Sequence, residues 1–115
     1  MSFIVTIRIG RLAVDPASRT AMIDNSRLRL APKEYDVLEL LSQRKDTTVT
    51  KEMFLNHLYG GKEEPKMKIL EVFICKLRRK LSQATGGEQY IETVWGRGYV
   101  LRAPEEATQE LRRAG

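Results

Sequence analysis

The stretch at residues 66–81 reads KMKILEVFICKLRRKL and contains neither glycine nor proline. Its large aliphatic residues recur at the spacing of one face of an α-helix: Leu70, Ile74, Leu77 and Leu81. The opposite side of the same helix carries Lys68, Val72, Cys75, Lys76 and Arg79. The stretch therefore predicts an amphipathic helix that buries its apolar stripe and turns a basic face to solvent.

The positive charge of the chain is concentrated on this one helix. Residues 66–80 contain six Lys or Arg and one Glu, a balance of +5, and the whole chain also carries +5. Basic helix faces are often merely solvated, but this one lacks the interspersed acids that stabilise a helix through ion pairs. It also places Val72 and Cys75 among the cations. A helix that reads a DNA major groove needs cations for phosphates and guanine edges and apolar groups for thymine methyls, so the face indicates DNA binding.

The length of 115 residues suits a single domain, and the composition, 42% hydrophobic and 30% charged, indicates a folded chain with a modest core. The pI of about 9.6 indicates an anionic partner, either nucleic acid or an anionic membrane surface. The lone cysteine, Cys75, cannot form an internal disulfide, and with the lone histidine, His57, it cannot make a zinc cluster. Neither a membrane-length apolar run nor a secretory signal is present, so we expect a cytoplasmic protein. Because the basic helix indicates DNA binding, we expect no membrane partner.

The first half of the chain predicts a sheet followed by two helices. Residues 3–29 alternate apolar and polar positions between turn signals, which predicts short antiparallel strands. Pro32 suits the first position of a helix, although Ala31 before it offers no side-chain acceptor as an N-cap. A polar loop is expected over residues 44–49. Thr50 then caps a second helix that ends at a Gly-Gly pair.

A hairpin is predicted over residues 90–101, where two strand-like runs flank Gly96-Arg97-Gly98. Arg97 projects from a bare backbone, which suits insertion into a narrow minor groove. Taken alone, an ordinary tight hairpin with an exposed arginine is the commoner explanation; after a cationic helix we favour DNA binding. The order of elements predicts an α+β fold, a winged helix-turn-helix with an N-terminal antiparallel sheet, three helices and a C-terminal β-hairpin wing.

Three motifs are similar to signatures of one family of DNA-binding domains. They are LAPKEY at residues 30–35, KLRRKL at 76–81 and TVWGRGY at 93–99, and in combination they resemble the effector domain of OmpR/PhoB response regulators. The resemblance covers residues 3–102 and leaves a charged C-terminal tail at 103–115. It implies a two-component transcription regulator controlled by phosphorylation of an Asp in an N-terminal receiver domain. Because this sequence contains no receiver domain, we expect an isolated effector domain.

The resemblance also implies roles for individual residues. Lys76 matches the position that reads bases, and Tyr59 matches an aromatic residue that abuts phosphates. Lys68, Arg78 and Thr93 match positions that contact the DNA backbone. Together with the helix face and the wing, the predicted DNA-binding residues are Tyr59, Lys68, Val72, Cys75, Lys76, Arg78, Arg79, Lys80, Thr93, Trp95 and Arg97. Family members often carry Arg where Trp95 stands and a small residue where Arg97 stands, so the wing cation is displaced by two positions here.

Further partners follow from the resemblance. Residues 60–66 align with the loop that contacts RNA polymerase, which implies the sigma subunit as a partner. The implied contact residues are Gly61, Lys62, Glu63 and Glu64. The most similar branch, the cell-cycle regulators of alphaproteobacteria, implies paired A/T-rich half-sites of TTAA type bound by a dimer on DNA. Thymine methyls in such sites suit Val72 and Cys75. Neither a cofactor nor a metal is implied.

Two other classes of function compete with this interpretation. Enzymatic activity is not expected, because His57 and Cys75 have no supporting Asp, Ser or metal cluster. His57 is more simply a helix-surface residue, Cys75 a groove-facing residue, and Trp95 a residue that packs on the wing or abuts a phosphate. The serious rival is a winged helix that binds an acidic protein. Salt-dependent binding to an A/T-rich duplex separates the two functions.

Overall fold

The computed structural model describes residues 6–60 and 67–104, apart from the side chains at positions 67 and 68. The strands are β1 (Ile7–Ile9), β2 (Leu12–Asp15), β3 (Thr20–Ile23), β4 (Ser26–Leu28), β5 (Val49–Thr50), β6 (Ile91–Val94) and β7 (Gly98–Leu101). The helices are α1 (Pro32–Gln43), α2 (Lys51–Tyr59) and α3 (Met67–Thr85). The predicted winged helix-turn-helix architecture is confirmed, with the sheet first, the three helices next and the hairpin last.

The N-terminal sheet is a meander in which each strand pairs antiparallel with the next. Its inner face buries Ile9, Leu12 and Ile23, which lie side by side across the first three strands. The outer row runs Arg8, Ala13, Met22 and Arg27, with both arginines exposed. The period-two alternation predicted this division into a buried and a solvent face. The predicted beginning at residue 3 lies outside the described residues.

Two capping arrangements begin the short helices. At α1, Oε1 of Glu34 accepts a hydrogen bond from the Ala31 N–H at 2.9 Å, which compensates for the missing side-chain acceptor. At α2, Oγ1 of Thr50 accepts a hydrogen bond from the Met53 N–H at 3.2 Å, as predicted. The C-cap Gly60 has a φ of 61°, a left-handed conformation that glycine adopts without strain.

Helix α3 supplies the centre of the core. Its predicted stripe is confirmed, because Leu70, Ile74, Leu77 and Leu81 are each at most 2% exposed. Burial of each such aliphatic side chain stabilises the fold by about 1.5–3 kcal/mol. The stripe packs against α1 and α2, so only the opposite face of α3 is left for solvent. In the described ranges, no helix is both long and apolar enough to cross a membrane.

A third strand joins the predicted hairpin. Val49 pairs with Tyr99 and Thr50 pairs with Gly98, so β5 lies beside β7 in a sheet of order β5-β7-β6. The prediction of a loop through residue 49 is wrong at its end, because a two-residue strand is too short to show an alternation pattern. As a result β7 is the central strand and β6 is an edge strand of this sheet.

The close approach of β5 also explains Gly98. A Cβ at this position would overlap the carbonyl oxygen of Val49 and would lie 3.0 Å from the Cα of Thr50. No side chain fits at that crossing, so glycine is required by space. The role predicted for it, a bare backbone beside Arg97, belongs to Gly96 alone, which is exposed at the tip.

The folded core extends past the predicted domain end. Ala103, which was assigned to the tail, is 6% exposed and packs in the hydrophobic core. The Arg102 N–H donates to the Tyr90 carbonyl oxygen at 2.9 Å. The Tyr90 hydroxyl in turn accepts a hydrogen bond from the Arg11 N–H at 3.2 Å, which joins the C-terminal segment to the N-terminal sheet. Residues 105–115 of the predicted tail lie outside the described residues.

Candidate nucleic-acid interface

The solvent face of α3 combines cations with small apolar groups. The predicted residues on this face whose side chains are described are exposed: Val72, Cys75, Lys76 and Arg79. Between residues 72 and 84 the sequence contains no Asp or Glu, so the cations have no carboxylate among them. Val72 is 48% exposed, a large fraction for an aliphatic side chain. The face therefore offers positive charge around an apolar strip.

Two further residues extend this face beyond the prediction. Ile69, one turn before Val72, is 38% exposed, and Gln83, one turn after Arg79, is also exposed. The helical period of 3.6 residues predicts that both side chains lie on this face. Charge alone does not reveal them, because neither residue is charged.

The tip of the hairpin projects two large side chains into solvent. Trp95 is 89% exposed and Arg97 is also exposed. The Arg97 N–H donates to the Val94 carbonyl oxygen at 3.0 Å, and Gly96 has a φ of 77°. The alternative that Trp95 packs on the wing is wrong, because a packed ring would be buried. A contact between Trp95 and a phosphate stays a prediction.

Arg78 ties α3 to the hairpin instead of standing on the exposed face. Its Nε donates to the Ile91 carbonyl oxygen at 3.2 Å, and its Nη2 donates to the Thr93 Oγ1 at 2.7 Å. Its guanidinium carbon lies 5.7 Å from the centroid of the Tyr99 ring. Arg78 and Thr93, both predicted to contact the DNA backbone, thus bind each other. The predicted contact of Arg78 with the DNA backbone stays a prediction, although two of its nitrogens already serve acceptors on the hairpin.

Lys80 lies on the other flank of α3. Its Nζ forms an ion pair of 2.6 Å with Oε1 of Glu34, a residue that is 2% exposed. Burial raises the pKa of Glu34, but hydrogen bonds from Lys80 and the Ala31 N–H outweigh it and hold the pKa below its ordinary value of 4.5. The carboxylate is therefore ionised at neutral pH and is neutralised by Lys80. The predicted contact of Lys80 with DNA stays a prediction, although its ammonium group already pairs with Glu34.

Tyr59 is half-buried at the end of α2. Nζ of Lys33 lies 4.8 Å from the centroid of its ring and donates to the Leu58 carbonyl oxygen at 2.8 Å. Lys33 thus brings a cation to the last turn of α2, where free carbonyl groups favour positive charge. Sequence reasoning did not single out Lys33 as a site residue. The predicted contact of Tyr59 with phosphates stays a prediction.

The remaining predicted contacts fall outside the described part of the chain. These are the side chain of Lys68 and the predicted RNA polymerase contacts Gly61, Lys62, Glu63 and Glu64. The described residues hold no group of three or more His, Cys, Asp or Glu that could bind a metal ion. Cys75 is a free, exposed thiol and His57 is exposed on α2.

Comparison with known proteins identifies relatives of the whole described fold. A family model described as "Transcriptional regulatory protein, C terminal" matches residues 25–101. The chain is 58% identical over 104 residues to the cell cycle response regulator CtrA of Brucella anthropi, which covers 90% of this chain and 45% of that protein. CtrA of Brucella ovis is similar to the same extent, 58% over 104 residues with 90% and 45% covered. The chain spans less than half the length of the curated relatives that it matches.

Solved structures with the same fold include two DNA-binding domains. The DNA binding domain of CpxR from E. coli is similar with a TM-score of 0.75 and 29% identity, covering 86% of this chain and 98% of that one. The Klebsiella pneumoniae RstA DNA-binding domain, solved in complex with the RstA box, is similar with a TM-score of 0.73 and 26% identity. That likeness covers 85% of this chain and 97% of the RstA chain.

Proposed function

Since the chain belongs to the OmpR/PhoB-type family of transcriptional regulatory C-terminal domains, which bind DNA and are not enzymes, we propose that it reads A/T-rich double-stranded DNA as a CtrA-like effector domain. In this function α3 lies in the major groove and the wing, defined as residues 91–101, reaches the minor groove. The exposed, acid-free face of α3 is the observation that supports the proposal most directly. The opposite face is fully used by the core, so the basic face is available for a partner.

Base reading is proposed for the middle of the exposed face of α3. A B-DNA major groove is about 12 Å wide and admits one α-helix, whose side chains reach base edges. Lys76 offers its ammonium group to base acceptors, while Val72 and Cys75 present apolar surface to thymine methyls. Ile69 widens that apolar surface by one turn. The combination fits A/T-rich sequence, because Ile69, Val72 and Cys75 can contact thymine methyl groups while the cations contact phosphates.

The tip of the wing is proposed to contact the backbone and the minor groove. Arg97 extends from the turn into solvent, and a narrow minor groove in A/T-rich DNA attracts such a cation. Trp95 lies close to it in the same turn with most of its side chain exposed, which supports a contact of its ring with phosphates or sugars. The two residues together give the wing both charge and contact area.

Larger assemblies are proposed on the strength of the likeness to CtrA. The full regulator would join this domain to a phosphorylated receiver domain, act in the cytoplasm and control genes of the cell cycle. It would bind paired TTAA-type half-sites as a dimer and contact the sigma subunit of RNA polymerase through Gly61, Lys62, Glu63 and Glu64. Selection of bound sequences from a random duplex pool tests the half-sites and their spacing, because two half-sites at fixed separation should emerge.

Binding to an A/T-rich duplex is expected to weaken steeply with salt. The logarithm of affinity should fall linearly with the logarithm of salt concentration, with a slope of about 0.9 per neutralised phosphate. Lys76→Ala should cost about 1–3 kcal/mol on the selected site and much less on random DNA, because Lys76 is proposed to read bases. Fluorescence anisotropy of labelled duplexes, titrated at several salt concentrations, measures both effects.

Arg8→Ala is the matched control for this experiment. It removes the same charge from β1, which lies at the opposite edge of the N-terminal sheet from β4, a strand that contacts α3. The substitution should leave affinity close to that of the unsubstituted protein. Equal losses on selected and random DNA would contradict base reading by Lys76. Weak, salt-independent DNA binding together with tight binding to an acidic protein would favour the rival function.

A further inference from the structure

We infer that Arg78 is a positioning residue that locks the wing to α3, a role whose effect on DNA rests on the proposed function. Helix α3 and the wing are separate elements, and both must contact the same DNA duplex. Arg78 is the side chain that hydrogen-bonds from one to the other within the described residues. Through this clamp it sets the spacing between the face of α3 and the tip of the wing.

The topology of the C-terminal sheet shows why such a clamp is needed. Among the residues that the structure describes, strand β6 pairs only with β7, and no strand lies along its other edge. An edge strand is the part of a sheet that separates most readily, because one ladder alone holds it. The acceptors used by Arg78, the Ile91 carbonyl oxygen and the Thr93 Oγ1, both belong to β6. Arg78 therefore holds β6 at two points just before the chain turns at the tip.

The geometry of the contact is specific to a guanidinium group. Nε and Nη2 lie along one edge of the planar group and serve two acceptors at once, while the guanidinium carbon lies over the Tyr99 ring, 5.7 Å from its centroid. Tyr99 packs edge-on against Phe54 of α2, with ring centroids 6.0 Å apart. The clamp thus rests on the buried part of the domain. A lysine would keep the charge but would lose the fork and the flat face.

Trp95 reports on the clamp in the absence of DNA. It is the one tryptophan of the chain, it lies at the tip of the wing, and it is 89% exposed. In Arg78→Lys, we expect time-resolved fluorescence anisotropy to show a larger fast component, because the freed wing moves on the nanosecond timescale. Arg79→Lys, the neighbouring exposed arginine, is the matched control and should leave the anisotropy decay unchanged.

Binding to DNA distinguishes the clamp from a direct phosphate contact. If Arg78 acts through the wing, Arg78→Lys should weaken binding about tenfold although the charge is kept. In the double variant with Arg97→Ala, the fold loss of DNA affinity should be smaller than the product of the two single losses. The reason is that a loosened wing has already lost part of the contact made by Arg97. If Arg78 instead binds a phosphate, Arg78→Lys should bind almost as well as the unsubstituted protein, and the two losses should multiply.

Thr93 supplies a second and milder test. Thr93→Val removes the acceptor of the 2.7 Å hydrogen bond and should raise the fast component of the Trp95 anisotropy decay. Thr93→Ser keeps the hydroxyl group, so its decay should match that of the unsubstituted protein. If Arg78→Lys fails to fold, this pair decides the question. An unchanged anisotropy decay in Arg78→Lys or in Thr93→Val would overturn the clamp. If the unsubstituted protein does not bind DNA, the proposed function is refuted. The anisotropy measurements, which need no DNA, would still decide whether Arg78 holds the wing to α3.

Discussion

Gly98→Ala is expected to lower the free energy of unfolding by about 3 kcal/mol. The new methyl group would overlap the backbone of Val49, so β5 and β7 could not keep their present separation. The neighbour is backbone, which cannot rotate away as a flexible side chain would. Chemical denaturation followed by circular dichroism measures the loss.

Gly96→Ala is the matched control for this prediction. Gly96 lies two residues earlier, in the turn that precedes β7, and has open space around its Cβ position, but its φ of 77° is unfavourable for alanine. Gly96→Ala should lower the free energy of unfolding by about 1–2 kcal/mol, because a residue with a Cβ is strained in the left-handed conformation. A loss for Gly98→Ala no greater than that for Gly96→Ala would show that the crossing of β5 and β7 accommodates a side chain.

Lys80→Met is expected to lower the free energy of unfolding by about 2 kcal/mol at neutral pH. The substitution keeps the length of the side chain but leaves the buried carboxylate of Glu34 with the Ala31 N–H as its one remaining hydrogen-bond donor among the described residues. The expected loss is smaller than for a fully buried pair because the Lys80 side chain is 34% exposed. Arg79→Met, an exposed neighbour, should stay within about 0.5 kcal/mol of the unsubstituted protein.

The pH dependence of this effect follows from the pKa of Glu34. Because the folded-state pKa is lower than the ordinary value of 4.5, the ionised carboxylate stabilises the protein above that value. The stabilisation is lost as the pH falls through the folded-state pKa. The difference between Lys80→Met and the unsubstituted protein should therefore shrink below about pH 4.5. A difference that stays constant down to pH 3, or that disappears at neutral pH, would contradict the role of this ion pair.

Much of the fold could be predicted because its signals are local. The stripe of α3 follows from spacing alone, and Thr50 at the start of α2 follows from the chemistry of its hydroxyl group. Strand β5 could not be predicted in this way. It consists of two residues, Val49 and Thr50, and its only strand partner is β7, which follows α3 in the chain. A pairing between distant segments leaves no periodic pattern in the shorter one.

The exposed residues of the candidate interface could be predicted from local signals, but the contacts of its flanking residues could not. Lys76 and Arg79 lie opposite the buried stripe, so their exposure follows from the helical period. Arg78 and Lys80 lie on the two flanks, where a side chain can turn either to solvent or to a neighbouring element. Their partners, Thr93 and Glu34, come from other parts of the chain. Charge composition predicted cations at these positions but could not predict that carboxylate and hydroxyl groups already occupy them.

The pairing of β5 with β7 has a consequence for the order of events during synthesis. The N-terminal meander joins only sequential neighbours, so it can assemble as soon as it leaves the ribosome. Strand β5 must wait until both later helices and the last strand have been made, since the loop that it closes spans all of them. A nascent chain stalled before residue 98 would thus have its first layer in place yet lack the contacts that complete its second sheet.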